Sequence, residues 1–391
     1  MIVLTILLLI YGLGFLFSPF PYWRTYGLLW RTLLFSKNSA ISPKARFIEA
    51  QYLFFHALLV PIATLLWHLD EWLYPQYRQQ SVSPIFIIGQ PRSGTTFLHR
   101  TLAADRDHFR AIRHIEWRFP FISVQKWLSR SKYARSLLTR SYWSNSPAGQ
   151  IASKMHPNRL SDWEEDGIFF EERFLHHFFI FLRFPYPQLL TYLDNYPALP
   201  QKVQDHILET HRRVIQKVLY LNGNPNVRYL SKEVSSHNKF PKLLELYPDA
   251  KFIFSFRHST GFMDSLLALV RYSTMSKIGV DPLEIDGWEE AVVERMRQDS
   301  QYLVKFCNEY APADQQVRTL FHQFTEDIVA TIESVYSQLG LTISDTYRQH
   351  LQTLHRDQVE RESGYSYDKS EYSGFEEFDA LVEQVQSGTV K

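Results

Sequence analysis

The stretch Ile85-Phe86-Ile87-Ile88-Gly89-Gln90-Pro91-Arg92-Ser93-Gly94-Thr95-Thr96 begins with four apolar residues and ends on two threonines, with a glycine-containing turn between them. A short, continuous apolar run between Pro84 and Gly89 has the pattern of a strand buried on both faces of a parallel sheet. Beyond the turn, Phe97, Leu98, Thr101 and Leu102 recur at helical spacing. A tight turn at a helix start directs free backbone N–H groups into one concavity, and the helix dipole adds favourable potential for negative charge. The turn is therefore an anion cradle. An ordinary strand-to-helix turn has no need of an arginine and two threonines at that point.

Working outward, Val227–Leu230 reads as a second strand leading to Lys232, Lys251–Phe256 as a third and Val317–Phe321 as a last one. Helices are expected over Gln201–Tyr220, from Ser259 to Leu269 and over Trp288–Tyr310. A further helix is expected to be capped by Thr325, with Glu326 and Asp327 in its first turn, and stopped by Gly340. Strands alternating with helices imply an α/β fold: a mostly parallel central sheet with helices on both faces, of the P-loop NTPase-like kind. Phe119–His177 shows no clear period, and Glu362–Gly374, rich in Tyr, Ser and acidic residues, reads as a loop.

The spacing of the turn is that of the nucleotide P-loop G-x-x-x-x-G-K-[ST], but Thr95 stands where that motif has lysine. That lysine serves the β- and γ-phosphates of a nucleoside triphosphate, so its absence, with Arg92 inside the loop instead, disfavours ATP or GTP hydrolysis. Pro91-Arg92-Ser93-Gly94-Thr95-Thr96 resembles, residue for residue, the 5′-phosphosulfate loop P-[RK]-S-G-T-T of the sulfotransferases that use 3′-phosphoadenylyl sulfate (PAPS). With arginine in the loop, the chain is similar to the bacterial-type and tyrosylprotein branch of that family. The resemblance implies that Arg92, Ser93, Gly94, Thr95 and Thr96 hold the 5′-phosphosulfate. A second family signature is a strand followed by Arg, with Ser eight residues later, which together hold the 3′-phosphate. Here Phe252–Phe256 leads into Arg257, and Ser265 follows at that spacing. Ser259 stands where the family often has proline. A third element, Tyr229-Leu230-Ser231-Lys232, resembles the place of a lysine that neutralises the transferring group. The resemblance covers roughly Pro84 to Leu341.

Sulfuryl transfer places charge on equatorial oxygens between an attacking and a leaving oxygen, so positioning and cationic stabilisation carry the chemistry. A base must still take the acceptor proton. His114, Glu116, His99 and the acidic group Asp162, Glu164, Glu165, Asp166 are all candidates. The resemblance places a glutamate just after the first helix, which singles out Glu116, with His114 second. The expected reaction moves a sulfuryl group from PAPS to a hydroxyl of a glycan, lipid, small alcohol or tyrosine and releases adenosine 3′,5′-bisphosphate, without a metal. A P-loop kinase or NTPase, or a non-catalytic nucleotide-binding module at a membrane, is the alternative reading.

With 42 basic against 41 acidic residues, the chain lacks the basic surplus of a general nucleic-acid binder. Cys307 is the single cysteine and no Asn-x-Ser/Thr acceptor occurs, as a reducing cytoplasmic compartment would allow. The residues from Met1 to Phe17 are apolar and uncharged, near the lower length limit of a bilayer span, with Tyr22 and Trp23 suited to the interface. Arg24, Arg31 and Lys37 follow, which by the positive-inside rule places the remainder in the cytoplasm. A second apolar stretch, Tyr52–Trp67, reads as an interfacial or core-packed helix. The polar segment Pro75–Pro84 then divides a membrane-associated amino-terminal part, 1–78, from a sulfotransferase domain, 79–391.

Overall fold

Side-chain alternation along the strands builds two cores, one on each face of a single sheet. A computed structural model describes the chain except for residues 1, 20–21, 191–195, 235–236, 361–369, 371 and 389–391. Most of the expected Glu362–Gly374 loop thus lies outside the described residues. The strands are β1 (Pro84–Gly89), β2 (Phe109–Ala111), β3 (Arg228–Glu233), β4 (Lys251–Phe256) and β5 (Gln316–Leu320). They pair in the order β2-β3-β1-β4-β5, and every pairing is parallel. Ile85 and Ile87 of β1 meet Leu230, Ile253 and Val317 on one face, under the helices Thr95–Ala103, Ile328–Leu339 and Asp345–Val359. Phe86 and Ile88 point the other way, with Tyr229, Phe252, Phe254 and Phe256. That face is covered by the helices Gln201–Asn222, Phe240–Leu246, Ser259–Ile278 and Trp288–Lys305. It is an aromatic layer in which Phe86 stacks on Phe252 at 5.8 Å and Phe254 on Phe256 at 5.9 Å.

The order has a functional consequence. After β1 the chain moves to one edge, returns through β3, and crosses to the other side of β1 for β4. In open α/β sheets the crevice outside the carboxyl ends of the strands at such a reversal is where ligands bind. Lys232 near the end of β3, the turn after β1 and Arg257 after β4 all reach that crevice.

Several boundaries differ from the sequence reading. β2 has three residues, too few to show a period. Phe119–His177 resolves largely into short helices, among them Ile122–Arg130, Pro147–Met155 and Gly167–Glu171. The cap expected at Thr325 falls instead on Asp327, whose Oδ1 accepts from Ala330 N at 2.9 Å. Thr325 ends the preceding short helix, with its hydroxyl donating to Phe321 O and His322 O. Gly340 closes the helix from Ile328, in the left-handed conformation at φ 68°.

At the amino terminus lie the helices Ile2–Leu16, Trp23–Phe35 and Pro43–Leu73. The long one has 31 residues, includes the Tyr52–Trp67 stretch, and among the described residues is the helix long and apolar enough to cross a bilayer. It passes straight through Pro61. Proline cannot donate to the carbonyl four residues back, but the Tyr11 hydroxyl reaches Ala57 O at 3.3 Å and Leu58 O at 3.1 Å. Leu29, Leu33, Leu53 and Trp67 of these helices share a core with the aromatic face of the sheet.

Candidate active site

Two left-handed residues shape the turn after β1. Gly94 has φ 82° at the start of the helix Thr95–Ala103, and a Cβ there would lie 2.4 Å from the Phe321 ring. Arg92 has φ 68°, which costs a non-glycine residue roughly 1–2 kcal/mol. Hydrogen bonds hold the loop in this shape: Ser93 Oγ donates to Gln90 O at 2.6 Å, and Ser255 Oγ of β4 donates to Ser93 O at 2.9 Å. The first N–H groups of the helix have no intrahelical acceptor and face the concavity at the loop.

The two sequence signatures meet here. Arg92 Nε donates to Ser265 Oγ at 2.9 Å, and its Nη1 donates to Met155 O at 3.1 Å. Arg257 donates to Arg92 O at 2.7 Å, and its guanidinium lies 4.4 Å from the centre of the Phe321 ring. Burial and the neighbouring Arg92 cation both press the Arg257 guanidinium below its ordinary pKa. A site that lowers the pKa of a cation in this way gains by taking up an anion.

Lys232 is buried, and its Nζ donates to Thr96 Oγ1 at 2.9 Å while pairing with Glu165 at 2.9 Å and Glu164 at 3.4 Å. Burial opposes its charge, but the two carboxylates outweigh burial and raise its pKa. Burial, opposed by Lys232, raises the Glu165 carboxyl, and Glu164 and Glu233 push it in the same direction. For Glu164, burial is outweighed by Lys232, His156, His114 and Arg100, and its pKa is lowered. Its Oε2 is buried with no hydrogen-bond partner.

Arg92, Thr95, Thr96, Lys232, Arg257 and both glutamates line one cavity of about 450 Å³. Another part of its wall is largely apolar and aromatic, with Trp143, Phe178, Leu182, Leu269 and Val270. Into this part reach Tyr142 and Glu171. Burial works against ionisation of Tyr142, but Lys277, Arg118 and Arg183 bring its phenol down to about 7. Glu171 Oε1 is buried with no hydrogen-bond partner.

The two leading base candidates have other partners. Glu116 does not line the cavity: Arg110 at 2.5 Å and Arg113 at 2.9 Å both donate to its Oε1, and Arg113 N donates to Oε2 at 2.8 Å. This closes a capping box on the helix His114–Arg118. Burial opposes ionisation there, but the two arginines win and lower the carboxyl pKa. His114 lines the cavity with both ring nitrogens engaged, one 3.2 Å from Asn158 Oδ1 and the other accepting from Arg118 Nε at 2.9 Å. Burial and Arg118 lower it to about 4. His99 is fully buried against Leu230 O and outside the cavity. Asp166 accepts from Tyr229 at 2.6 Å and lies 3.0 Å from His211, and Asp162 accepts from Arg159 N at 2.9 Å. The geometry therefore leaves Glu164 and Glu165 from the acidic group at the cavity. Tyr142, Trp143, Glu171 and Phe321 escaped the sequence reading, since no local pattern marks a residue that only tertiary packing brings to a site.

One expected result follows at once. Glu116→Ala removes the partner of two arginines, and breaking a buried pair costs roughly 3–5 kcal/mol. Its thermal midpoint falls well below wild type, while turnover per folded molecule stays within a few-fold. A carboxyl whose pKa is lowered on folding contributes stability above its unfolded value near 4.5, and that contribution is lost as pH falls through the folded value. The deficit of the variant in chemical unfolding therefore shrinks below that window.

The model of the family described as "Sulfotransferase family" matches residues 84–345. The structure is similar to sulfotransferase STF1 from Mycobacterium tuberculosis H37Rv, with TM-score 0.63 and 22% identity over 84% of this chain and 86% of that one. It is also similar to sulfotransferase STF9 from Mycobacterium avium, with TM-score 0.59 and 15% identity over 94% of each chain. At these identities the likeness is one of fold. No curated protein matches the sequence.

Proposed function

Because the chain belongs to the sulfotransferase family, we propose that it transfers a sulfuryl group from PAPS to the hydroxyl of an amphipathic acceptor. The observation that carries this reading is the convergence of Arg92, Arg257, Ser265 and Lys232, from four separate segments, on one anion cradle at the carboxyl end of β1. Arg257 and Ser265 hold the 3′-phosphate: the guanidinium fork suits a phosphate dianion, and the serine hydroxyl adds a donor. The loop from Arg92 to Thr96 and the helix N-terminus hold the 5′-phosphosulfate. Lys232 stabilises charge on the transferring group. Glu165 takes the acceptor proton as the new O–S bond forms. The sulfur–oxygen bond to the donor breaks in the same displacement, and its electron pair leaves on adenosine 3′,5′-bisphosphate.

The apolar wall beside Tyr142 and Glu171 supports an acceptor that joins an apolar body to a polar group. The chain works at a membrane through residues 1–78, with the sulfotransferase domain, 79–391, on the cytoplasmic side. The apolar helices and the basic residues that follow the first of them support this placement.

Arg257→Ala tests the donor assignment. A hydrogen bond to a charged group contributes about 1.5–3 kcal/mol, so adenosine 3′,5′-bisphosphate binds roughly 10–100-fold more weakly. Adenosine 5′-phosphosulfate, which lacks the 3′-phosphate, binds the variant and the wild type about equally in calorimetry. Equal losses for both ligands would sink the assignment.

A further inference from the structure

The long helix Pro43–Leu73 has two opposite faces, and both are apolar over most of their length. One is docked. Ala45, Glu49, Leu53, Val60, Thr64, Trp67 and Asp70 are buried at helical spacing from one end to the other. The two carboxylates among them are tied to the catalytic body, while Thr64 donates to Val60 O of its own helix. Glu49 accepts from the Tyr186 hydroxyl at 2.8 Å, and Asp70 accepts from Ser123 N at 3.1 Å and from Lys217 Nζ at 3.3 Å. Midway, His56 lies 3.7 Å from Glu172, which also holds Arg118 at the cavity.

The other face is open. Phe47, Phe54, Leu58, Ile62, Leu65 and Trp72 are exposed along it, and Trp72 at 77% is the extreme case. The helix Ile2–Leu16 lies against the long helix and leaves Leu9, Leu13 and Leu16 exposed as well. Gly14 sits so close to Pro61 that a Cβ would lie 2.6 Å from the proline ring, and the Phe17 carbonyl is 3.1 Å from His68 Nε2.

These facts decide an orientation. A spanning helix places about 20 residues in hydrocarbon. In that pose the segments bonded to Glu49, His56 and Asp70 would enter the bilayer with it, and charged groups in hydrocarbon are strongly disfavoured. The docked face therefore excludes a crossing. A monomer in water rarely leaves so large a contiguous apolar face uncovered. The charge around it names what covers it. Residues 1–48 contain five basic residues and no Asp or Glu, and Arg24, Arg31, Lys37 and Lys44 are exposed. A cationic surround to an apolar stripe matches an anionic lipid surface.

We propose that the helices Ile2–Leu16 and Pro43–Leu73 lie flat in one leaflet of an anionic membrane, holding the enzyme on the bilayer without crossing it. This rests on the membrane reading above and replaces its spanning form, and it is independent of the sulfuryl donor. Its consequence is that the docked helix brings the lipid surface to the Arg118–Glu172 side of the cavity.

The test uses the full chain and vesicles of phosphatidylcholine, alone or mixed with phosphatidylglycerol. The protein floats with the mixed vesicles, several-fold less with the neutral ones, and high salt narrows the difference. A variant with Phe54→Ser, Leu58→Ser and Ile62→Ser changes only exposed positions and loses flotation about tenfold while keeping its affinity for adenosine 3′,5′-bisphosphate. Cysteines placed singly at Phe47, Leu58 and Leu69, labelled with bimane, are quenched by brominated lipid at equal, shallow depth. A graded depth, with Leu58 at the bilayer centre, overturns the in-plane orientation in favour of a span. Failure to float with either vesicle, together with a mass that doubles with concentration, overturns the membrane itself and assigns the face to a second copy of the chain. Donor affinity is measured in each case, so neither failure is confused with failure of the sulfotransferase reading.

Discussion

Lys232→Met lowers turnover by about 10²–10³-fold, the usual cost of deleting one preorganised group aimed at developing charge. The position of the ammonium sets this expectation. It sits at the end of β3, bonded to Thr96 in the first turn of the loop helix, beside the concavity that would hold the phosphosulfate. It cannot drift away: its nitrogen is buried and confined by Glu165 at 2.9 Å. Its pKa is raised, so it stays charged across neutral pH, and its contribution to stability is lost only as pH rises through the folded value above 10.5. Removing it also leaves Glu164 and Glu165 without their cation, so a fall in activity alone would be ambiguous. Two measurements separate the effects. Affinity for adenosine 3′,5′-bisphosphate, which lacks the sulfuryl group, changes by less than a few-fold if the role of Lys232 is in the transition state. In the double variant Lys232→Met/Glu164→Gln, the surplus charge is reduced without touching Glu165, so stability recovers and turnover does not. If turnover recovers with stability, Lys232 is a structural ion-pair partner and the catalytic assignment fails.

The sequence displayed the loop side of this cavity well and its apolar wall poorly, for physical reasons. Ile85–Ile88 is buried on both faces, so it reads as a continuous apolar run, and the loop after it carries its chemistry in consecutive residues. Arg257 and Ser265 are legible for the same reason: a strand end and two helical turns fix their relation locally. Part of the apolar wall comes from short helices between Pro147 and Arg183, where a helix of five or nine residues shows too little of a period to declare a face. Those helices place Glu171 and Phe178, and the segment before them places Tyr142, beside residues from Ser259–Ile278, a relation set only by packing. Glu116 shows the opposite case. It follows the loop helix closely in sequence, yet Arg110 and Arg113 are nearer than the cavity and occupy both of its oxygens. The amino-terminal apolar run was plain and so was a helix over Tyr52–Trp67; what only packing adds is the Tyr11 hydroxyl at the carbonyl that Pro61 leaves free.

The largest effect is expected at Glu165. An acceptor hydroxyl is a poor nucleophile until it can release its proton, and a positioned base contributes about 10²–10⁴-fold. Of the two carboxylates beside Lys232, Glu165 is the better base. Its side chain is 18% exposed against 3% for Glu164, and burial raises its pKa where that of Glu164 is lowered. Glu165→Gln keeps the shape of the side chain and removes only its capacity to take a proton. Turnover therefore falls by about 10²–10⁴-fold, while the affinity for adenosine 3′,5′-bisphosphate stays near that of wild type. The pH profile gives a second signature. A base must be ionised to act, so wild-type turnover falls on the acid side, with a midpoint above the ordinary 4.5 because the folded pKa is raised. Since Glu164 and Glu165 share the Lys232 ammonium, that midpoint belongs to the pair of carboxylates. In the variant the acid limb disappears along with the base. Glu164→Gln is the necessary comparison, because Glu164 also lines the cavity and its Oε2 has no hydrogen-bond partner. If Glu164→Gln abolishes the acid limb and Glu165→Gln preserves it, the base is Glu164 and Glu165 serves to hold Lys232.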